Sequence, residues 1–438
     1  MKFLLTSTAL AVGVFTISAQ VAAADCAPDS LGAGETSTCT GVDTDGFKDG
    51  SDAITVIVDS GALVSQSISD ENTIDVDGLN ATVVNDGTII NRPAADPNNA
   101  IAGGEGLTVE NYGLIDSADD AIDNEGTNNL TVLNDGTILA DDKGIQASDG
   151  LHLTNAFEIL TFDEAVEAGD DAYIENGLFG VIASEDDDAV QIEQNAQIYN
   201  EGEIIGADDG IDIDSGYINN SGDIIALVGS GVDIDDDGNA IVEVDNSGAI
   251  IAQEYGILAD PANAQGQVIS NSGGVIGLQG AFSLGAGNDV VTLQEDGVFL
   301  RDMLFGGDDD YFNINALNFL LADVPFTSLD QLNIDTVPPL EVAVADGGTG
   351  TDRLEFSLFN QASVSVSAIT DGFAFDFFNA DVGAFTFHAI NFEEFVFAGS
   401  VVSASVLASA AAPAPVPLPA SLLLLGGALA GLALRRKS

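Results

Sequence analysis

The chain has 438 residues, with 71 acidic against 9 basic side chains and a formal net charge of -62. Such a charge excludes attraction to nucleic acid or to an anionic membrane surface, and it makes the protein self-repelling unless salt or divalent cations screen it. Hydrophobic residues still reach 46%, so a buried core is feasible where a highly charged, apolar-poor chain would stay disordered.

In chain order, Met1-Lys2-Phe3-Leu4-Leu5 opens an apolar run to about Val14, and Ala22-Ala23-Ala24 precedes Asp25. A basic start, an apolar stretch and small residues at the end are the layout of a secretory signal peptide, expected over 1–24 and read by the export machinery. Asp25 before Cys26 does not fit a lipoprotein anchor. Residues 25–50 are expected as an N-terminal cap. Its Cys26 and Cys39 are the only cysteines, and in an oxidising envelope they are expected to pair and close a short loop.

Residues 51–312 carry a repeat. Asn85-Asp86-Gly87-Thr88-Ile89 returns at Asn111, Asn134, Asn200, Asn220, Asn246 and Asn271, with weaker copies expected at Asn155 and Asn176. Each period also holds an acidic turn before an aliphatic residue, as in Asp119-Asp120-Ala121-Ile122 and Asp187-Asp188-Ala189-Val190. A third alternating run leads to the next Asn. Three short alternating strands per 20–26 residues cannot bury a face alone, but coiled into rungs they can. The expectation is an all-β, right-handed parallel β-helix, with Asn and Gly turning the corners and Asn side chains stacked as a ladder.

One stretch sets the register. Val190 and Ile192, Ile211 and Ile213, and Val232 and Ile234 recur every 21 residues, so these pairs should stack inside. Gln191, Asp212 and Asp233, followed by Glu193, Asp214 and Asp235, must then stack outside, about 4.8 Å apart. Like charges at that spacing repel by ~1 kcal/mol per pair in water and by more where water is thinned. The ladder calls for counter-ions, and divalent cations are the expected ones.

Beyond about residue 280 phenylalanine becomes frequent, and 313–400 reads as wider rungs or a capping β segment. Residues 401–415 read as a linker rich in Ala, Ser, Val and Pro. The tail, 416–438, holds Val416-Pro417-Leu418-Pro419-Ala420, an apolar run from Leu422 to Leu434, and Arg435-Arg436-Lys437. That run meets the short limit for a membrane helix, and the basic end should stay cytoplasmic. The tail resembles the VPLPA-type PEP-CTERM sorting signals. The resemblance implies that an exosortase-like membrane peptidase processes the tail near Val416–Ala420 and delivers the body outward. The expected course is an inner-membrane-anchored precursor, then the cell surface or exterior of a Gram-negative bacterium.

Three Gly/Asp elements resemble the calcium-binding RTX nonapeptide, G-G-x-G-x-D-x-U-x. They are Gly347 to Glu355 with Asp352, Gly285 to Val291 with Asp289, and Gly306 to Phe312 with Asp308 and Asp310. RTX repeats run in tandem, whereas these lie 21 and 41 apart, about one and two rungs, so ordinary Gly-rich corners compete with a calcium site. Asp233-Ile234-Asp235-Asp236-Asp237-Gly238 begins like an EF-hand loop, but Val244 falls where the twelfth ligand belongs. A β-helix turn fits better, and its acids could still join a calcium site. The candidate calcium ligands are therefore Asp212, Asp214, Asp233, Asp235, Asp237, Asp289, Asp308, Asp310 and Asp352; no organic cofactor is expected.

Catalytic signals are weak: His152 and His388 stand far apart with no nucleophile motif nearby. Acid pairs such as Asp208/Asp209 recur in several rungs, so none stands out for glycoside hydrolysis. Over about residues 50–310 the body resembles autotransporter-type and haemagglutinin-like adhesin β-helices, although the translocating barrel of true autotransporters is missing. That resemblance implies an adhesive surface or matrix protein, contacting cell-surface or matrix carbohydrate. The alternatives are a polysaccharide-active lyase or glycosidase on the same scaffold, and a coating protein without a specific ligand.

Overall fold

The structure is a computed structural model that describes residues 25–66, 71–93, 98–235, 241–295, 297–315, 344–379 and 383–411. The expected signal peptide, membrane helix and sorting tail, including Val416–Ala420, Arg435 and Arg436, lie outside the described residues, as does Asp237. Among the described residues no helix is long and apolar enough to cross a membrane.

The chain coils into a parallel β-solenoid whose described residues form three sheets of 17, 16 and 12 strands. A representative turn runs through Thr131–Asn134 in sheet A, Thr137–Ala140 in sheet B and Ile145–Ala147 in sheet C. Each strand pairs in parallel with its equivalent one turn on. Strand residues alternate in and out. In sheet A, Val132, Leu153, Ile174, Ile198 and Ile218 follow one another inside, each no more than 1% exposed. Burying each such side chain contributes about 1.5–3 kcal/mol. No single rung has an interior of its own, so this term exists only in the stack.

The 21-residue register is present as read. Val190 pairs with Ile211 and Ile211 with Val232, while Gln191, Asp212 and Asp233 form the outward column beside them. The weak copies at Asn155 and Asn176 are full members of the Asn column. From Asn85 to Asn271 each Asn Nδ2 donates to the Oδ1 of the Asn one rung on, at 2.8 Å. The same amide also donates to the strand carbonyl beyond the next corner, as Asn134 does to Glu158 and Asn176 to Glu203. A primary amide both donates and accepts, so an Asn column satisfies itself at full burial.

Parallel pairing starts before residue 51, because Thr36–Cys39 already pairs with Thr55–Val58. Below it, Cys26–Ala27 pairs antiparallel with Thr36–Cys39, and Cys26 and Cys39 form a disulfide. At the far end Arg353–Phe356 and Glu394–Phe397 continue sheet A as parallel strands. The Phe-rich region is thus rungs and cap together. Phe282 packs edge-to-face on Phe299 and Phe305, with centroids 5.1 Å apart. Phe356 gathers Phe375, Phe377 and Phe397. Two long antiparallel strands, Gly372–Asn379 and Gly383–Ile390, close sheet C. The stretch expected as a linker begins instead with the strand Ser400–Ser403, paired antiparallel with Glu394–Phe397, and the helix Ala404–Ala411. Leu407, 1% exposed, anchors that helix in the core.

Candidate functional site

Three acidic features run along the solenoid. The first is the outer face of sheet C. There Asp212, Asp214 and Asp235 line a groove of about 640 Å³ with Glu125, Glu167 and Glu193, interleaved by Gln146, Gln191 and Gln194. Gln191 Nε2 donates to Asp212 Oδ2 at 3.4 Å. Burial, then the charge of Asp235, pushes the Asp212 carboxyl up to about 6. Burial, then Asp212, pushes Asp233 up to about 7. Lys143 reaches the groove's Glu167 and also Glu164, while Arg92 bridges Asp116 and Asp141 away from it. Within the ladder, on top of burial, Asp235 raises Asp212 and Asp212 raises Asp233, the mutual repulsion of stacked acids.

The second feature is the corner between sheets B and C, which the sequence shows only as a recurring acidic turn. Stacking brings these turns into groups whose carboxylate oxygens lie within 4.8 Å of one another. Asp119, Asp120 and Asp142 form one; Asp163, Glu164 and Asp187 another; Asp187, Asp188 and Asp208 a third. Burial raises Asp120 to about 7 and Asp188 to about 8. Part of each carboxylate is structural. Asp188 Oδ1 accepts the Asp209 N–H at 2.7 Å and Asp120 Oδ1 the Lys143 N–H at 3.1 Å.

The third feature unites the RTX-like elements. Asp289, Asp310 and Asp352 each precede the sheet A strand of their own rung, and those strands are neighbours: Val290 pairs with Tyr311 and Tyr311 with Arg353. The wider gap is therefore one rung rather than two, with residues 316–343 lying between. The three side chains are 0%, 2% and 0% exposed. Each uses Oδ1 to accept a backbone N–H from the rung before it. Gln267 N–H donates to Asp289 at 2.6 Å, Asp289 N–H to Asp310 at 2.8 Å and Asp310 N–H to Asp352 at 2.9 Å. Glu393 continues the column by accepting the Asp352 N–H, and Gln267 begins it by accepting that of Val242. Neither Gln267 nor Glu393 stands in a motif, so only the register reveals them.

The second oxygens of Asp289, Asp310 and Asp352 are buried without a hydrogen-bond partner. Burial pushes these carboxyls up to about 9, 8 and 6 respectively, against the backbone N–H bonds that favour the anion. An ionised carboxylate only accepts, so the column carries surplus acceptor capacity and no cation of its own. A proton or a hard metal ion would answer that need. Asp308 stands apart. It is exposed with φ 70°, at the turn rather than in the column. Glycine is required at the turn. Gly306 and Gly348 have φ of +97° and +80°, and a Cβ at either would meet the preceding rung's glycine carbonyl at 1.6 Å and 1.9 Å.

Of the sequence candidates, the fold brings Asp212, Asp214, Asp233 and Asp235 to one face and Asp289, Asp310 and Asp352 to one buried column. The two sets belong to different rungs. Residues 415–437 match the family described as the PEP-CTERM protein-sorting motif. Comparison of the chain with curated proteins and with solved structures finds no match in either. Taken with the fold, this makes the chain a β-solenoid carrying a PEP-CTERM sorting motif, which implies exosortase processing and sorting to the cell surface.

Proposed function

We infer that this protein is an adhesive or structural surface solenoid that binds calcium along its C-terminal rungs. The observation that carries the reading is the column of Asp289, Asp310 and Asp352, each buried with one unpartnered oxygen. Calcium favours carboxylate and carbonyl oxygens on tight turns, and the Gly-rich corner beside the column offers both. The outer acids Asp212, Asp214, Asp233 and Asp235, with Asp237, are proposed as weaker sites, since carboxylates on a solvated face hold ions loosely. The tail is read as the VPLPA type, with Val416–Ala420 as the processing motif. Arg435 and Arg436 would stay inside while the precursor is anchored in the inner membrane. Surface or matrix carbohydrate is the proposed target of adhesion.

Calcium titration of the full chain, followed by thermal melting, tests the cation. An ion that binds only the folded state at 100 times its Kd raises stability by about 2.7 kcal/mol. A melting temperature that ignores calcium would sink the proposal.

A second reading, a polysaccharide-active lyase or glycosidase, is favoured by one observation: Asp212, raised to about 6, lines the groove, with Asp233, raised to about 7, in the same column. Carboxyls poised near neutrality suit acid-base work. Release of reducing or unsaturated ends from a polysaccharide panel, abolished by Asp212→Asn, would establish it.

A further inference from the structure

The outer face of sheet A carries an aromatic line that neither the calcium reading nor the sorting motif uses. His152, Tyr173, Tyr199 and Tyr217 stand on successive rungs, with ring centroids 4.8, 5.5 and 5.8 Å apart. The ring planes turn along the line, from 14° between His152 and Tyr173 to 40° and then 63°. The last pair is edge-to-face, and such a pair leaves both faces of the edge-on ring uncovered by its partner. Tyr217 is held in place: its hydroxyl donates to Asp245 Oδ2 at 3.0 Å and accepts from Asn219 Nδ2 at 3.0 Å. Beneath the line Leu153, Ile174, Ile198 and Ile218 are no more than 1% exposed, so the strands that carry it are anchored in the core.

The neighbours on this face are polar and acidic. Glu175 and Gln197 are exposed, and from His152 to Asp245 the outward positions contain no lysine or arginine. Carboxylate and amide oxygens accept hydroxyl protons, and aromatic rings cover apolar C–H faces. Without a cation on the strip, and with a net charge of -62 around it, a polyanion is repelled. We propose that this strip binds a linear polysaccharide without charged groups, with Tyr199 and Tyr217 as its stacking residues. The inference rests on the carbohydrate-adhesion part of the proposed function and does not depend on the calcium part.

Native affinity electrophoresis of the full chain through gels containing hydroxyethylcellulose, glucomannan or dextran, with alginate as the anionic comparison, tests the strip. Each gel is run in EDTA and again in calcium. Retardation by at least one neutral polymer and not by alginate is expected, unchanged in EDTA and in 0.5 M salt (about a 4–5 Å Debye length). Tyr199→Ala with Tyr217→Ala should weaken it about tenfold, whereas Phe179→Ala, at an exposed corner, should not. Should the alanine pair melt early, the leucine pair keeps apolar volume without a ring and must lose binding equally. The proposal is overturned by no retardation in any neutral gel, by retardation that survives in a folded double variant, or by retardation abolished by salt. Calcium-independent melting would strike only the calcium reading and would leave this result standing.

Discussion

The lower and upper rungs solve the same problem in opposite ways. Backbone and side-chain polar groups at a buried corner need partners on every turn. From Asn85 to Asn271 the last residue of each sheet A strand is an amide that satisfies its neighbour. Above Asn271 that column becomes Leu293, Ile314, Phe356 and Phe397. The position before the strand changes the other way. It is Leu107, Leu130, Leu151 and Ala172 in the lower rungs, then Gln267, Asp289, Asp310 and Asp352. The polar column thus moves from one end of sheet A to the other within about a rung. The lower ladder is neutral and complete in itself. The upper one is acidic and incomplete, so its stability depends on the protons or cations the solvent supplies.

Four experiments bear on this contrast. Asn155→Asp puts an acceptor-only group into the self-satisfied ladder, where it loses the bonds to Asn176 and to the Phe157 carbonyl. A loss of about 3–5 kcal/mol is expected in the denaturant midpoint. If it is tolerated, the two ladders do not differ as described. Gly306→Ala should cost about 2–4 kcal/mol, because a positive φ and a backbone carbonyl both oppose a Cβ. Gly126→Ala, also at positive φ but with nothing within 4 Å, should cost about 1 kcal/mol.

The third test is pH dependence in EDTA. Asp289, Asp310 and Asp352 have folded-state carboxyls raised above the ordinary 3.8. Their protonated forms therefore favour folding, and that contribution is complete below the unfolded value. It is lost as pH rises through about 6, 8 and 9. Melting of the upper rungs should fall across that window, and calcium should restore it more at pH 8 than at pH 5. Fourth, Asp310→Asn supplies the donor the upper column lacks. It should raise stability in EDTA at pH 8 by about 1–2 kcal/mol while reducing the calcium response. Asparagine is then the more stable residue in both columns, and what separates the halves is that only the upper one trades that stability for a cation response.

Periodic features were the legible ones. The Asn repeat and the 21-residue step from Val190 to Ile211 to Val232 gave strand number, register and inward face, because identical rungs write identical intervals. The Gly/Asp elements lie at the upper corner, but their stacking is not legible, since residues 316–343 break the interval between Asp310 and Asp352. Gln267 and Glu393 were invisible for a different reason. Each accepts a backbone N–H from the rung before it, and no local pattern records that. The acidic turns of Asp119–Asp120 and Asp187–Asp188 were seen one at a time; that they converge is a property of coiling. The antiparallel closure over Gly372–Ile390 and the helix Ala404–Ala411 arise where the repeat has ended, so no interval pointed to them.

A parallel solenoid is a polymerising shape, since each open end presents the template for the next identical strand. Here sheet A reverses direction at both ends, with Cys26–Ala27 below and Ser400–Ser403 above, and sheet C reverses at its upper end. The antiparallel strand occupies the edge of the last parallel strand, so a further identical rung cannot pair with that edge. Trimming either reversal should bare a parallel strand edge of sheet A and promote end-to-end association, read as a rise in sedimentation coefficient.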